Sequence, residues 1–273
     1  MLEKWVEKKF QKGDKGAVEM GKAMIKVYGD EPFPANQVEK PTPITFSKDQ
    51  LILPETKMPQ EVQEVLQRAE KAGFTSFQPY HLSGVTLTQG TIVPGWNSKP
   101  EDWYWDRIRN GKLSKDASKL PDSWVLVDTT QRPNYKGGMQ LHENDSFGPF
   151  LKQLRDNKRI QTIKGIPDTS RFSISPDELT QVVLPGIARL LEVESPTVRF
   201  PKEIEFNIIG NFKYPEWGQS NTWEWLDDSF GDGSRLLGGL SGDGGLTRVI
   251  HRWSGVHYDG VAFRPLVVIS PRT

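Results

Sequence analysis

The chain predicts an α+β fold whose helices come early and whose last part is an irregular, loop-rich β region. Three observations carry this expectation. Capped amphipathic segments occur upstream, short apolar or alternating runs of strand type lie between them, and helical periodicity stops in the final sixty residues, where glycine and tryptophan crowd short segments. No repeat of fixed period is present.

Residues 1–41 carry Trp5, Val6, Phe10, Val18, Met20, Met24, Ile25 and Val27 at loosely helical spacing, broken by Gly13 and Gly16, followed by the proline-rich GDEPFPANQVEKPTP. They predict a helical arm and linker, with the main domain over 42–273. PQEVQEVLQRAEKAGF predicts a helix, with Pro59 suited to its first turn, Val62, Val65, Leu66 and Ala69 on one face and Gly73 just past its end. Ser123 to Asp128, SWVLVD, reads as a strand, and FGPFLKQLRD after Asp145 and Ser146 as a short capped helix. In SPDELTQVVLPGIARLLEV, Ser175 and Glu178 form a capping box around Pro176, while Pro185 and Gly186 predict a kink or a split. EIEFNIIG alternates Ile204, Phe206 and Ile208 as a half-buried strand would, and VAFRPLVVI closes the chain as one buried strand.

Lys and Arg number 35, as do Asp and Glu, so no overall field recruits nucleic acid or an anionic membrane. With Cys at 0, disulfides, thiolate nucleophiles and cysteine-based metal sites are excluded. The start MLEKWVEKKFQKGDKG has no apolar core of signal-peptide length and no run approaches a membrane span, so a cytoplasmic location without membrane insertion is expected.

Three segments invite chemistry. GDGSRLLGGLSGDGGL has glycines that let backbone N–H groups approach an anion, but its spacing fits neither phosphate-loop pattern and no helix follows, so turns and tight packing are the simpler reading. NTWEWLDD sets Glu224, Asp227 and Asp228 near Trp217, Trp223 and Trp225, which suits either a carboxylate pair acting on a sugar or ordinary turns. His251 and His257 with Asp259 could serve as metal ligands or an acid-base set. His81 and His142 lie far off in sequence, and Arg248, Arg252 and Tyr258 beside the pair suit surface recognition better.

The tail NTWEWLDDSFGDGSRLLGG, followed by SGDGGL, WSG and VAFRPLVV, resembles the C-terminal region of the variable proteins of diversity-generating retroelements, especially those of candidate-phylum bacteria. LPDSWVLVDTTQRPNY and SRFSISPDELTQVVLPGIARLL resemble their non-variable part, less diagnostically. The resemblance implies a C-type lectin-like fold of the formylglycine-generating-enzyme type behind the helical arm. Ala262 stands where the family's usual Gly-Phe-Arg-Pro-Leu ending has its glycine. In such systems error-prone copying at adenines turns AAY codons into NNY codons, which encode no Lys, Glu, Gln, Met or Trp. From Trp225 to Thr273 the chain has no Lys, Glu, Gln, Asn or Met. A loop-rich β region that favours Gly, Ser and Asp is the alternative source of that bias.

Within a variable region of about 229–268, the resemblance implies two sets of positions. Leu240, Gly242, Asp243, Thr247, Arg248, Ile250, His251, Arg252, Gly255, Val256, His257, Tyr258 and Gly260 are expected to be varied, solvent-facing and ligand-binding, and all are types that NNY codons encode. Gly238, Gly239, Gly244, Gly245, Leu246, Val249, Trp253, Phe263, Arg264, Pro265 and Leu266 are expected to be frame. The expected protein is a non-enzymatic binder with a macromolecular, protein ligand and no cofactor. The Glu-Pro-Asn and Trp-Asn-Asp motifs of calcium-dependent lectins are missing, so calcium is not expected. The alternatives are an oxidase of the formylglycine-generating type, a glycan-acting or glycan-binding protein using WEWLDD, and a self-assembling structural component.

Overall fold

The computed structural model describes residues 43–54, 57–137, 145–231 and 233–270. The predicted arm over 1–41 and His142 lie outside them. Thr45–Thr273 forms one compact unit, mixed α and β.

Two sheets divide the work. The first has the order β1 (Ile52–Leu53), β2 (Phe77–Ser83), β3 (Asp122–Asp128), β9 (Leu266–Ile269), β4 (Val198–Arg199), all antiparallel. The second runs β7 (Val249–Trp253), β6 (Ser234–Gly238), β5 (Trp223–Phe230), β8 (Val261–Phe263), with β5 and β8 parallel. In β3 both faces are packed: Trp124 and Leu126 join one apolar cluster, Val125 and Val127 the other. This is why SWVLVD is continuously apolar rather than alternating.

Among the described residues, five helices of eight residues or more flank the sheets: α1 (Gln60–Lys71), α2 (Asp102–Arg109), α3 (Gly148–Asp156), α4 (Leu184–Leu191) and α5 (Glu203–Lys213). In α1, Val62, Val65 and Ala69 are buried as their spacing predicts, and Gly73 leaves the helix at φ +87°, where only glycine is unstrained. The Ser175–Glu178 capping box forms. Pro185 does not split its helix, because a π-turn at Leu179–Val183 absorbs the missing donor before α4 begins. At Gly186 an added Cβ would meet the Phe150 ring at 2.8 Å, so α3 and α4 pack through that glycine.

Two expectations are corrected. EIEFNIIG is the helix α5, buried from Glu203 to Gly210. A helix buried all round shows no polar face, and its apolar residues here happened to fall at alternate positions. VAFRPLVVI is not one strand. It breaks at Arg264 and Pro265 into β8 and β9, which belong to different sheets. The Arg264 side chain turns into an interior ion network at the break.

Candidate functional site

The predicted variable region is built on α5 and on a set of buried charges. Asn207, inside α5, accepts the Trp96 indole N–H at 2.6 Å and donates to the carbonyls of Ser98 at 2.9 Å and Leu246 at 2.5 Å, fixing the loop after β6 to the core. Gly239, Gly244 and Gly245 all have positive φ. Gly239 N–H donates to Gly245 O at 3.2 Å, Gly245 N–H to Leu240 O at 2.9 Å, and Ser241 N–H to Ser220 O at 2.8 Å. The loop backbone is therefore held by its own main chain.

Beneath it lies a network of six charges. Glu224 receives Arg264 Nε at 3.0 Å and Nη2 at 2.7 Å, and Arg132 Nη1 stands 3.2 Å away. Arg264 also donates to the Asp128 and Thr130 carbonyls and lies 3.8 Å over the Trp217 ring. Arg132 reaches the carbonyls of Trp217 at 2.6 Å and Gly239 at 2.8 Å. Arg171 pairs with Asp128 and, at 2.6 Å, with Asp145. Burial alone would raise the Asp128 carboxyl, yet Arg171 and Arg264 hold it well below the usual carboxylate range. Desolvation brings Arg132 down to about 10 against the pull of Glu224, so it stays charged at neutral pH.

This geometry removes the WEWLDD reading as an open acid pair. Glu224 is consumed by two arginines, Trp225 is buried, Asp228 accepts the Glu203 N–H at 2.6 Å, and Asp227 pairs with Arg235 at 3.1 Å. The glycine-rich segment ends in strand and loop with no helix behind it. His251 and His257 have separate partners. His251 stacks on Phe230 at 4.2 Å between centroids, with Trp103 near both. His257 Nε2 meets Glu178 Oε2 at 2.6 Å, while Asp259 accepts from Tyr135 Oη at 3.1 Å. Among the described residues no group of three or more His, Asp or Glu side chains could hold a metal ion.

None of the thirteen positions expected to vary is buried. Gly242, Arg248, Arg252, Gly255 and Val256 are exposed, and Leu240, Asp243, Thr247, Ile250, His251, His257, Tyr258 and Gly260 are half-buried. Ile250 and Tyr258 lean on the core beside Trp225. Of the expected frame, Gly238, Gly239, Gly245, Leu246, Val249, Phe263, Arg264, Pro265 and Leu266 are buried. Gly244 is exposed, and its φ of +94° demands glycine for conformation alone. Trp253 is the exception, 58% exposed at the end of edge strand β7. It shares a strand face with Val249 and His251, and its ring lies 3.7 Å from where a Cβ on Gly233 would stand. Exposed Val256 and Tyr135, each 42% accessible, belong to the same end of the molecule through the 254–260 loop and the Tyr135–Asp259 bond. The role of Arg132, Asp128 and Arg171 had no sequence signal beyond arginine and aspartate next to apolar runs.

The positions expected to be frame and those expected to vary should separate in a stability measurement. A Cβ on Gly245 would lie 2.7 Å from the Gly218 carbonyl oxygen at a φ of +60°, whereas one on Gly242 meets nothing within 4 Å. Thermal unfolding is expected to show Gly245→Ala destabilised by about 2 kcal/mol or more and Gly242→Ala changed by less than about 0.5. Equal losses at both would contradict the division.

No protein-family model matches the chain, and neither the curated proteins nor the solved structures yield a match.

Proposed function

We propose that this chain is a ligand-binding protein of the diversity-generating retroelement kind, with a C-type lectin-like fold and a protein ligand met by residues 240–260. The observation that carries the reading is the separation of backbone from side chain in that segment. The main chain is tied to α5, Ser220 and its own glycines, while every position expected to vary has solvent access. Substitution at exposed positions generally costs little stability, so such a surface accepts many side chains on one scaffold. Arg, Tyr, His and aliphatic groups on a rigid frame are the material of an adaptable paratope. The oxidase alternative finds no cysteine in the chain, and the carboxylates of WEWLDD are engaged internally.

The decisive test is genetic. Sequencing the DNA flanking this gene should reveal a near-copy of the codons for residues about 229–268, differing almost only where the copy carries adenine, with a reverse-transcriptase reading frame nearby. An intact flanking region with neither feature would overturn diversification and leave a fixed-ligand module.

A further inference from the structure

We propose that the cleft at the C-terminal end of α3 docks an acidic segment of a protein partner, with Lys158 and Arg159 as its recognition groups. The cleft is a shallow, open depression of about 410 Å³, lined by Lys158, Arg159, Gln161, Thr162 and Glu178 over Arg155 and Ile160. Residues 152–164 hold Lys152, Arg155, Lys158, Arg159 and Lys164 against Asp156 alone, in a chain whose net charge is +0. Lys152 is neutralised by Asp156 at 2.8 Å. Lys158, Arg159 and Lys164 are exposed and form no ion pair among the described residues.

A second observation lies under the cleft. Arg155 is buried, and its donors go to carbonyl oxygens: Asp168 at 2.5 Å, Ser170 at 2.9 Å, Gln161 at 3.3 Å and Phe172 at 3.4 Å. Its hydrogen bonds are thus satisfied by neutral groups, and Asp168 and Glu178 act on its charge only from beyond ion-pair distance, so part of that charge remains under the cleft. The backbone adds a third. Lys158 takes φ +54° just past the helix, the conformation that Gly73 supplies after α1, so a lysine stands where glycine would relieve strain.

Discrete carboxylates fit this site better than a phosphate backbone. Arg159 offers a planar fork and Lys158 a point charge, with Gln161 and Thr162 as neutral partners. The neighbouring Asp156, Asp168 and Glu178 would repel a continuous polyanion, and the lining contains no aromatic ring on which a base could stack. Glu178 forms part of the wall and also holds His257, so the cleft adjoins the varied surface. It lies outside residues 229–268, and the inference therefore stands or falls separately from the retroelement reading.

The probe is a fluorescein-labelled Gly/Ser peptide carrying two glutamates spaced by neutral residues, titrated by anisotropy against the full chain at low and physiological salt. Binding that weakens with salt is expected, and Lys158→Gly/Arg159→Ala should weaken it about tenfold or more. The glycine preserves the left-handed backbone, so the melting temperature should hold. No binding at low salt, equal binding by the double variant, or tighter binding of a labelled single-stranded oligonucleotide at the same residues would each overturn the proposal.

Discussion

Replacing Glu224 with alanine is expected to remove about 3–5 kcal/mol of folding stability, because it strands the buried guanidinium of Arg132 without a carboxylate and leaves Arg264 only the more distant Asp128 at 3.9 Å. The network joins segments far apart in sequence. Arg132 reaches Gly239 at the start of the loop after β6, and Arg264 sits at the crossover between the two sheets. Losing Glu224 should therefore loosen the frame under the proposed binding surface as well as lower the global stability. Urea denaturation checks this through the midpoint at constant slope. Arg252→Ala, on an exposed and proposed varied position, should stay within about 0.5 kcal/mol. If the two variants unfold together, the network is not what holds the frame.

The second large effect is on pH dependence. Asp228, on β5, is buried against the N-terminus of α5, and desolvation together with Asp227 and Glu205 raises its carboxyl to about 7, despite the Glu203 N–H that favours its ionised form. Glu203 beside it is fully buried, and burial followed by the Asp228 charge pushes it well above the ordinary glutamate value, against a smaller opposing pull from Asn207. A folded-state pKa above the unfolded one means the native protein binds the proton more tightly. The stabilising contribution of Asp228 is therefore complete below about pH 4 and is lost as pH rises through about 7, at a cost of about 4 kcal/mol. The melting temperature should fall across that window, Asp228→Asn should flatten the slope, and Glu203→Gln should raise the melting temperature at pH 8. The opposite slope below pH 4 belongs to Asp128, whose lowered carboxyl loses its pairing when protonated. A flat wild-type profile from pH 4 to 7 would contradict the assignment to Asp228.

Much of the expected frame was legible from residue types, since glycines needing positive φ and apolar residues needing burial mark it, while the positions expected to vary came from the family resemblance and are all exposed or half-buried. Trp253 escaped that logic. A tryptophan reads as core, yet edge strand β7 carries it past the packed rings of Trp103 and Phe230, where nothing among the described residues covers it. The acid-rich WEWLDD segment failed in the other direction. Its carboxylates look available in sequence and are taken in space by arginines and by a helix N-terminus.

The sequence by itself determined the features that depend on neighbours a few residues away. These are the amphipathic face of α1, the capping box at Ser175 and Glu178, the buried strand at Asp122–Asp128, and the glycine frame of the last quarter. Hydrogen bonds one turn apart, side-chain alternation and the φ preference of glycine all act at that range. Only the tertiary structure decided that EIEFNIIG is a helix, that VAFRPLVVI serves two sheets, and that Glu224 and Asp228 are buried. Burial on every side erases the periodicity that distinguishes helix from strand, and the fate of a charge depends on which counter-charge the fold brings to it, here Arg132 for Glu224 from 92 positions upstream.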